Sequence, residues 1–182
     1  MENGDLLRQG SLPGDFDAGG RGGVFELYDW NGNLKWKYEI ANNQQHAHHD
    51  IAVLPNGNFL CTIWEKKSEA EAINNGRKYN GEVWSASILE IEILPNNQAN
   101  IVWKWSVWDH LIQDFDASKL NFGTVADHPE LIDLNYIGEG EENFGNWLHL
   151  NAISYNEEFD QIAISSRNLS EIYIIDLSLI HI

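Results

Sequence analysis

One pattern is written three times along this chain, and it constrains the fold more than any other feature. The clearest copy is His48-His49-Asp50-Ile51-Ala52-Val53-Leu54-Pro55-Asn56-Gly57-Asn58-Phe59-Leu60. The later copy is His149-Leu150-Asn151-Ala152-Ile153-Ser154-Tyr155-Asn156, resuming as Gln161-Ile162-Ala163-Ile164-Ser165-Ser166-Arg167. A shortened copy opens the chain, where Glu2-Asn3-Gly4-Asp5-Leu6-Leu7 aligns with Pro55-Asn56-Gly57-Asn58-Phe59-Leu60. Repetition on this scale predicts a repeat architecture, and polar residues at matching edges predict a shared site.

A second motif interleaves with the first. Val24-Phe25-Glu26-Leu27-Tyr28-Asp29-Trp30, then Asn31-Gly32, then Leu34-Lys35-Trp36-Lys37-Tyr38 reads as a β-hairpin. Asn-Gly between alternating apolar residues predicts a type I′ turn, with positive φ at both central positions. The motif recurs as Ile88-Leu89-Glu90-Ile91-Glu92-Ile93, a turn at Pro95-Asn96-Asn97, and Ile101-Val102-Trp103-Lys104-Trp105. Two hairpins make a four-stranded antiparallel sheet, and radial repetition of such sheets is a β-propeller. The chain is therefore expected to be all-β, a partial propeller of about two and a half blades, where closed propellers have about four to eight. It opens inside one copy and closes inside another, so residues 1–176 are expected to be a propeller domain truncated at both ends. Residues 177–182 offer neither turn residue nor hairpin partner and are expected to be a non-native or disordered tail.

Charge narrows the partners. Eleven basic against 28 acidic residues give a net charge of −17, which argues against nucleic acid and anionic membranes as ligands. No apolar run is long enough to span a bilayer. The lone Cys61 excludes an internal disulfide and reads as a small core residue. Eight Trp and six Tyr suit the wedges between neighbouring sheets.

Two insertions interrupt the repeats. Residues 65–81 are polar, with a short helix expected over Ser68-Glu69-Ala70-Glu71-Ala72 and Ser68 as its cap. Residues 107–147 are expected to form helical turns and a lid over one face; Asp109 and His110 lie there and are candidates for substrate contact.

The chemistry follows from the repeats. His49 and His149 occupy equivalent positions at the start of the first strand of their blades, which in a propeller lines the central channel. Arg167 lies 18 residues after His149, where a hairpin returns the chain to its starting level. Two imidazoles and a guanidinium around one channel describe an oxyanion site, the guanidinium being a planar fork matched to carboxylate, phosphate or sulfate. Imidazoles there can donate to anionic oxygens or transfer a proton near neutral pH. His46, His48, His49 and Asp50 are metal-ligating types, but strand alternation places His46 and His48 on one face and His49 on the other, so no shared metal is expected.

His49-Asp50 with Leu54-Pro55-Asn56-Gly57-Asn58, and Trp147-Leu148-His149-Leu150-Asn151-Ala152-Ile153 with Ser165-Ser166-Arg167, resemble the bacterial arylsulfate sulfotransferase family up to Asp176. The resemblance implies a six-bladed propeller that moves a sulfuryl group from a phenolic sulfate ester to a phenol, without a cofactor. It implies that His49, His149 and Arg167 are the catalytic channel residues, with the adjacent His48 a lesser candidate for substrate contact. It also implies a sulfated histidine intermediate on a later histidine that this chain does not supply, so no activity is expected of the chain alone. His181 does not sit in the family's pattern. A periplasmic or exported location follows from the resemblance only, and a homodimer of the parent is left open. The competing readings are a non-catalytic propeller that binds a protein or glycan and, with least support, a quinone-dependent dehydrogenase-like propeller.

Overall fold

The hairpins form where the repeats place them. In a computed structural model that describes residue 1, residues 4–138 and residues 145–177, strands β1 (Leu6–Ser11), β2 (Gly23–Tyr28) and β3 (Leu34–Glu39) form one antiparallel sheet. Strands β4 (Gln45–Val53), β5 (Phe59–Lys67), β6 (Val83–Leu94) and β7 (Gln98–Ser106) form a second. In the long insertion, β8 (Leu111–Ile112) pairs in parallel with β9 (Ile132–Asp133). Strands β10 (Leu150–Asn156), β11 (Gln161–Ser166) and β12 (Glu171–Asp176) form the third antiparallel sheet. Each large sheet is a meander of sequence neighbours. By the repeat, the first holds counterparts of β5, β6 and β7, and the third holds counterparts of β4, β5 and β6. Among the described residues the chain is all-β with one short α-helix.

The turn expectation is exchanged between hairpins. At residues 29–33, only Gly32 takes a left-handed φ, +82°. The Asp29 carboxylate accepts from the backbone N–H of Asn31 (2.9 Å) and Asn33 (2.8 Å) and from the Asn33 amide (2.8 Å), so the side chain organises a longer connection than a two-residue type I′ turn. Leu54 to Asn58 repeats this geometry with Gly57 at φ +87°. The turn with both central residues left-handed lies instead at Asn96 and Asn97 (φ +61° and +58°), closed by Gln98 N donating to Pro95 O. Asparagine tolerates this region better than other residues with a Cβ.

The second sheet is covered on both faces, which explains why β5 is apolar almost throughout. Phe59, Cys61 and Ile63 face a core shared with Leu7, Phe25, Leu27 and Trp36 of the first sheet. Leu60 points the other way, into a core with Trp105, Leu150, Ile153, Ile162 and Ile164. Period-two alternation along one strand thus serves two interfaces. Cys61 is fully buried, and burial pushes its thiol far up.

The short helix α1 (Glu69–Asn74) starts as expected. Ser68 accepts from Glu71 N, and the Glu71 carboxylate accepts from Ser68 N, a complete capping box. The long insertion carries the expected helical turns, at Val107–Asp109 and Val125–Asp127. Its described part packs on the first insertion: Arg77 donates to Leu134 O (2.9 Å), Asn121 to the Asn75 amide (2.9 Å) and Leu120 N to Asn74 O (3.1 Å). The apolar side chains of Leu111, Ile112 and Leu134 are buried, which anchors the segment beside the sheets. Glu2, Asn3, residues 139–144 of the insertion, and residues 178–182 of the tail, with His181, lie outside the described residues. Leu177 packs into the larger core, and its N–H donates to Asp160 O (2.9 Å).

Candidate active site between the sheets

The two repeat histidines share a backbone conformation as well as a place in the pattern. His49 has φ +51° and His149 has φ +50°, and the strand register slips at the first, between His48 and Ile51, and just after the second, between Leu150 and Ala152. A bulge of this kind turns a side chain out of simple alternation. It overturns the expectation that His49 faces away from His48, because the Nδ1 atoms of the two rings lie 2.9 Å apart. Each bulge is locked the same way. Thr62 Oγ1 donates to His48 O, and Ser166 Oγ donates to Leu148 O (2.6 Å). His49 therefore lies within β4 rather than at its start, and His149 immediately precedes β10.

Across the sheets, His149 Nε2 stands 3.0 Å from His49 Nε2, with ring centroids 4.6 Å apart. Asp50 fixes this approach: its Oδ2 accepts from Ile153 N of β10 at 3.1 Å. Behind His49, the fully buried His48 ring stacks on Trp64 at 4.2 Å, and Trp64 stacks on the buried Phe16. On the other flank, Asn146 Nδ2 lies 2.6 Å from His149 Nδ1. Arg167 enters from the end of β11, where its backbone N donates to His149 O (3.1 Å) and its guanidinium to Asn168 Oδ1 (3.2 Å). The guanidinium is exposed. His49, His149 and Arg167 line one open pocket of about 580 Å³.

Burial dominates the electrostatics. It pushes His149 down to about 4, helped by the charges of His49 and Arg167. It lowers His49 too, with Arg167 acting the same way and Asp50 opposing. His48 is held well below the ordinary imidazole range, first by burial. At neutral pH the rings are uncharged, and Arg167 supplies the positive charge lining the pocket.

The fourth wall is a loop that the repeats do not announce. Residues 12–22 leave β1 and cross to the histidines: Gly20 O accepts from His49 N (2.6 Å), and Gly22 N donates to Ala47 O (3.0 Å). Gly20 has φ +80°, and a Cβ there would fall 2.0–2.3 Å from three atoms of the His49 ring. The signal available in the sequence was the density of glycine at 14, 19, 20, 22 and 23, a mark of close backbone approach. Asn146 and Asn168 carried no such signal.

The remaining candidates sit elsewhere. His48 is behind His49 and closed to solvent. Asp109 lies in a 3-10 turn over Val107–Asp109, capped by Ser106. His110 stacks on Trp105 and bonds Ser106 O at 2.8 Å, beside Ile132 and β12. The structure does not bring Asp109 or His110 to the histidine pocket. Among the described residues, no group of three or more His, Cys, Asp or Glu is arranged to hold a metal ion.

Fold and pocket together define a class: an antiparallel all-β protein that gathers neutral imidazoles around one guanidinium. The family model described as Arylsulfotransferase (ASST) matches residues 14–180, and the chain belongs to that family. Comparison with the curated proteins gives no significant match.

Proposed function

We propose that this chain carries the anion cradle of an enzyme that transfers a sulfuryl group from a phenolic sulfate ester to a phenol. The observation that carries the reading is the convergence of His49, His149 and Arg167, from three separate segments, on one pocket in a chain of the arylsulfotransferase family. A sulfate monoester presents three oxygens around one sulfur. A guanidinium fork is a donor set suited to them, and it binds more strongly as charge builds on those oxygens.

The reaction we propose is ping-pong. An imidazole nitrogen pair attacks sulfur, the S–O bond to the aryl group breaks, and its electrons leave on the phenolate, which takes a proton. An acceptor phenol gives up its proton, attacks the sulfohistidine sulfur, and returns the S–N pair to the imidazole. His49 and His149 are poor nucleophiles as they stand. All four of their ring nitrogens face polar partners within 3.0 Å, leaving no free lone pair aimed at the pocket. We take the nucleophile to be a further histidine, as the resemblance to the arylsulfotransferase family implies. The three meandering sheets are read as consecutive blades of a six-bladed propeller, with β4 and β10 as inner strands, which puts both histidines on its channel.

The test is acceptor-dependent release of nitrophenolate from 4-nitrophenyl sulfate by the protein that contains this segment. Release is expected in the wild type and lost in Arg167→Ala and His149→Ala. Undiminished release in both variants, or none from a folded wild type across several donors, refutes the proposal.

A further inference from the structure

Neither ring of the pair that lines the pocket has a nitrogen to spare. His149 Nδ1 faces the buried Asn146 amide at 2.6 Å, and its Nε2 faces His49 Nε2 at 3.0 Å. His49 Nδ1 faces Nδ1 of the buried His48 at 2.9 Å. A neutral imidazole has one N–H and one lone pair, so each contact between rings holds one proton and the row runs in one of two directions. Asn146 decides which, because it presents Nδ2, and an amide nitrogen only donates. His149 Nδ1 is then the lone pair, and His149 carries its proton on Nε2 and donates it to His49 Nε2. His49 in turn carries its proton on Nδ1 and donates to His48, which ends the row as an acceptor.

The residue that starts the row is itself held from the far side of the pocket. Arg167 donates to Asn168 Oδ1 (3.2 Å), and Asn168 Nδ2 donates to Asn146 O (2.6 Å). A guanidinium only donates and a carbonyl only accepts, so the Asn168 amide has one orientation. The three bonds from Asn146 to His48 then run head to tail, an arrangement in which each strengthens the next. The other copy of the repeat supplies a comparison. His46 stands three residues before His49, as Asn146 stands three before His149. Its Nε2 turns instead to Gly22 O at 3.2 Å, so this position feeds the row in one copy only.

We infer that Asn146 is a positioning residue: it sets which nitrogen of His149 and of His49 carries the proton, and keeps both N–H groups inside the row. The oxygens of a bound anion are then left to the Arg167 guanidinium, and the imidazoles form a neutral wall of fixed polarity beside it. Burial keeps the row uncharged at neutral pH, which is the condition under which tautomers alone decide donor and acceptor. The consequence for sulfuryl transfer rests on the proposed function; the direction of the row does not.

The test uses the whole chain, labelled with nitrogen-15, and two-bond proton–nitrogen spectra of the imidazoles well above pH 7. In the wild type, His149 is expected to carry its proton on Nε2 and His49 on Nδ1. Asn146→Asp replaces the donor with a carboxylate that only accepts, and is expected to move the His149 proton to Nδ1 and the His49 proton to Nε2. Asn146→Ala removes the end group and is expected to give both rings the averaged shifts of mixed tautomers. The opposite assignment in the wild type overturns the inference even where neither variant folds. An unchanged assignment in a folded Asn146→Asp or Asn146→Ala chain overturns it as well. Sulfate titrated into the wild type by calorimetry separates the two claims. Binding that leaves the tautomers unmoved is the expected result, and a tautomer that switches on binding overturns the inference. No sulfate binding to a chain with the expected tautomers would sink the proposed function and leave the role of Asn146 standing.

Discussion

Gly20→Ala should damage the pocket far more than its single added methyl suggests. The new Cβ would sit 2.0–2.3 Å from Nε2, Cε1 and Cδ2 of His49, so either the loop or the ring must move. The loop is tied down by Gly20 O accepting from His49 N and by Gly22 N donating to Ala47 O. The ring is held by its two imidazole neighbours. A residue with a Cβ at φ +80° also costs about 1–2 kcal/mol, and displacing packed atoms adds about 1–3 kcal/mol. The expected loss is about 2–5 kcal/mol in urea unfolding followed by tryptophan fluorescence. For a chain of this size that is a fall of roughly 5–15 °C in melting temperature. Gly19→Ala is the control, because a Cβ there meets nothing within 4 Å, and its effect should stay within about 0.5 kcal/mol. In a His49→Ala background, Gly20→Ala should recover the share of its cost that comes from the ring, roughly 1–2 kcal/mol of coupling. Equal effects at Gly19 and Gly20, or a Gly20→Ala cost unchanged without the His49 ring, would refute the reasoning.

Arg167→Lys should weaken sulfate binding by about tenfold to a hundredfold in calorimetry, since one charge-assisted hydrogen bond is worth about 1.5–3 kcal/mol and lysine lacks the planar fork. His149 makes the fold acid-sensitive in a defined window. Its folded value is depressed to about 4 from an ordinary imidazole value of about 6.5, so the unfolded chain takes up the proton first. Stability from this group is complete above about pH 6.5 and drains away as pH falls toward 4; the melting temperature should follow that slope, and His149→Asn should flatten it. Ser68→Ala removes the hydroxyl half of the capping box on α1 and keeps the backbone half, and should cost about 1 kcal/mol in urea unfolding.

Period and repeat were enough to read the strands and the equivalence of His49 with His149, because both depend on local alternation. The Ser68 cap was legible for the same reason: capping is decided within four residues. What escaped depends on atoms distant in sequence. Asn31-Gly32 lost its expected turn to the Asp29 carboxylate, which outcompetes a two-residue loop by accepting three hydrogen bonds. Strand alternation misplaced His49 relative to His48 because a bulge intervenes, held by a hydroxyl on the neighbouring strand. The loop bearing Gly20 has no period at all; its course is set by Phe16 burying against Trp64. The insertion around Asp109 and His110 was readable as short turns, but not as a segment docked on Arg77 and Asn75.

The contact between His49 and His149 closes 100 positions of chain. Contacts of that span come late in folding, after the entropy of the intervening loop has been spent. Neither sheet alone contains the pocket, so no partly folded species with the second and third sheets undocked can hold its ligand. An anion held in the pocket beside these rings, as proposed, would bind the native state alone and shift the folding equilibrium toward it by mass action. Ligand occupancy here is therefore a readout of sheet docking, and saturating anion should slow unfolding of the whole stack while leaving the closure of each hairpin at its own rate.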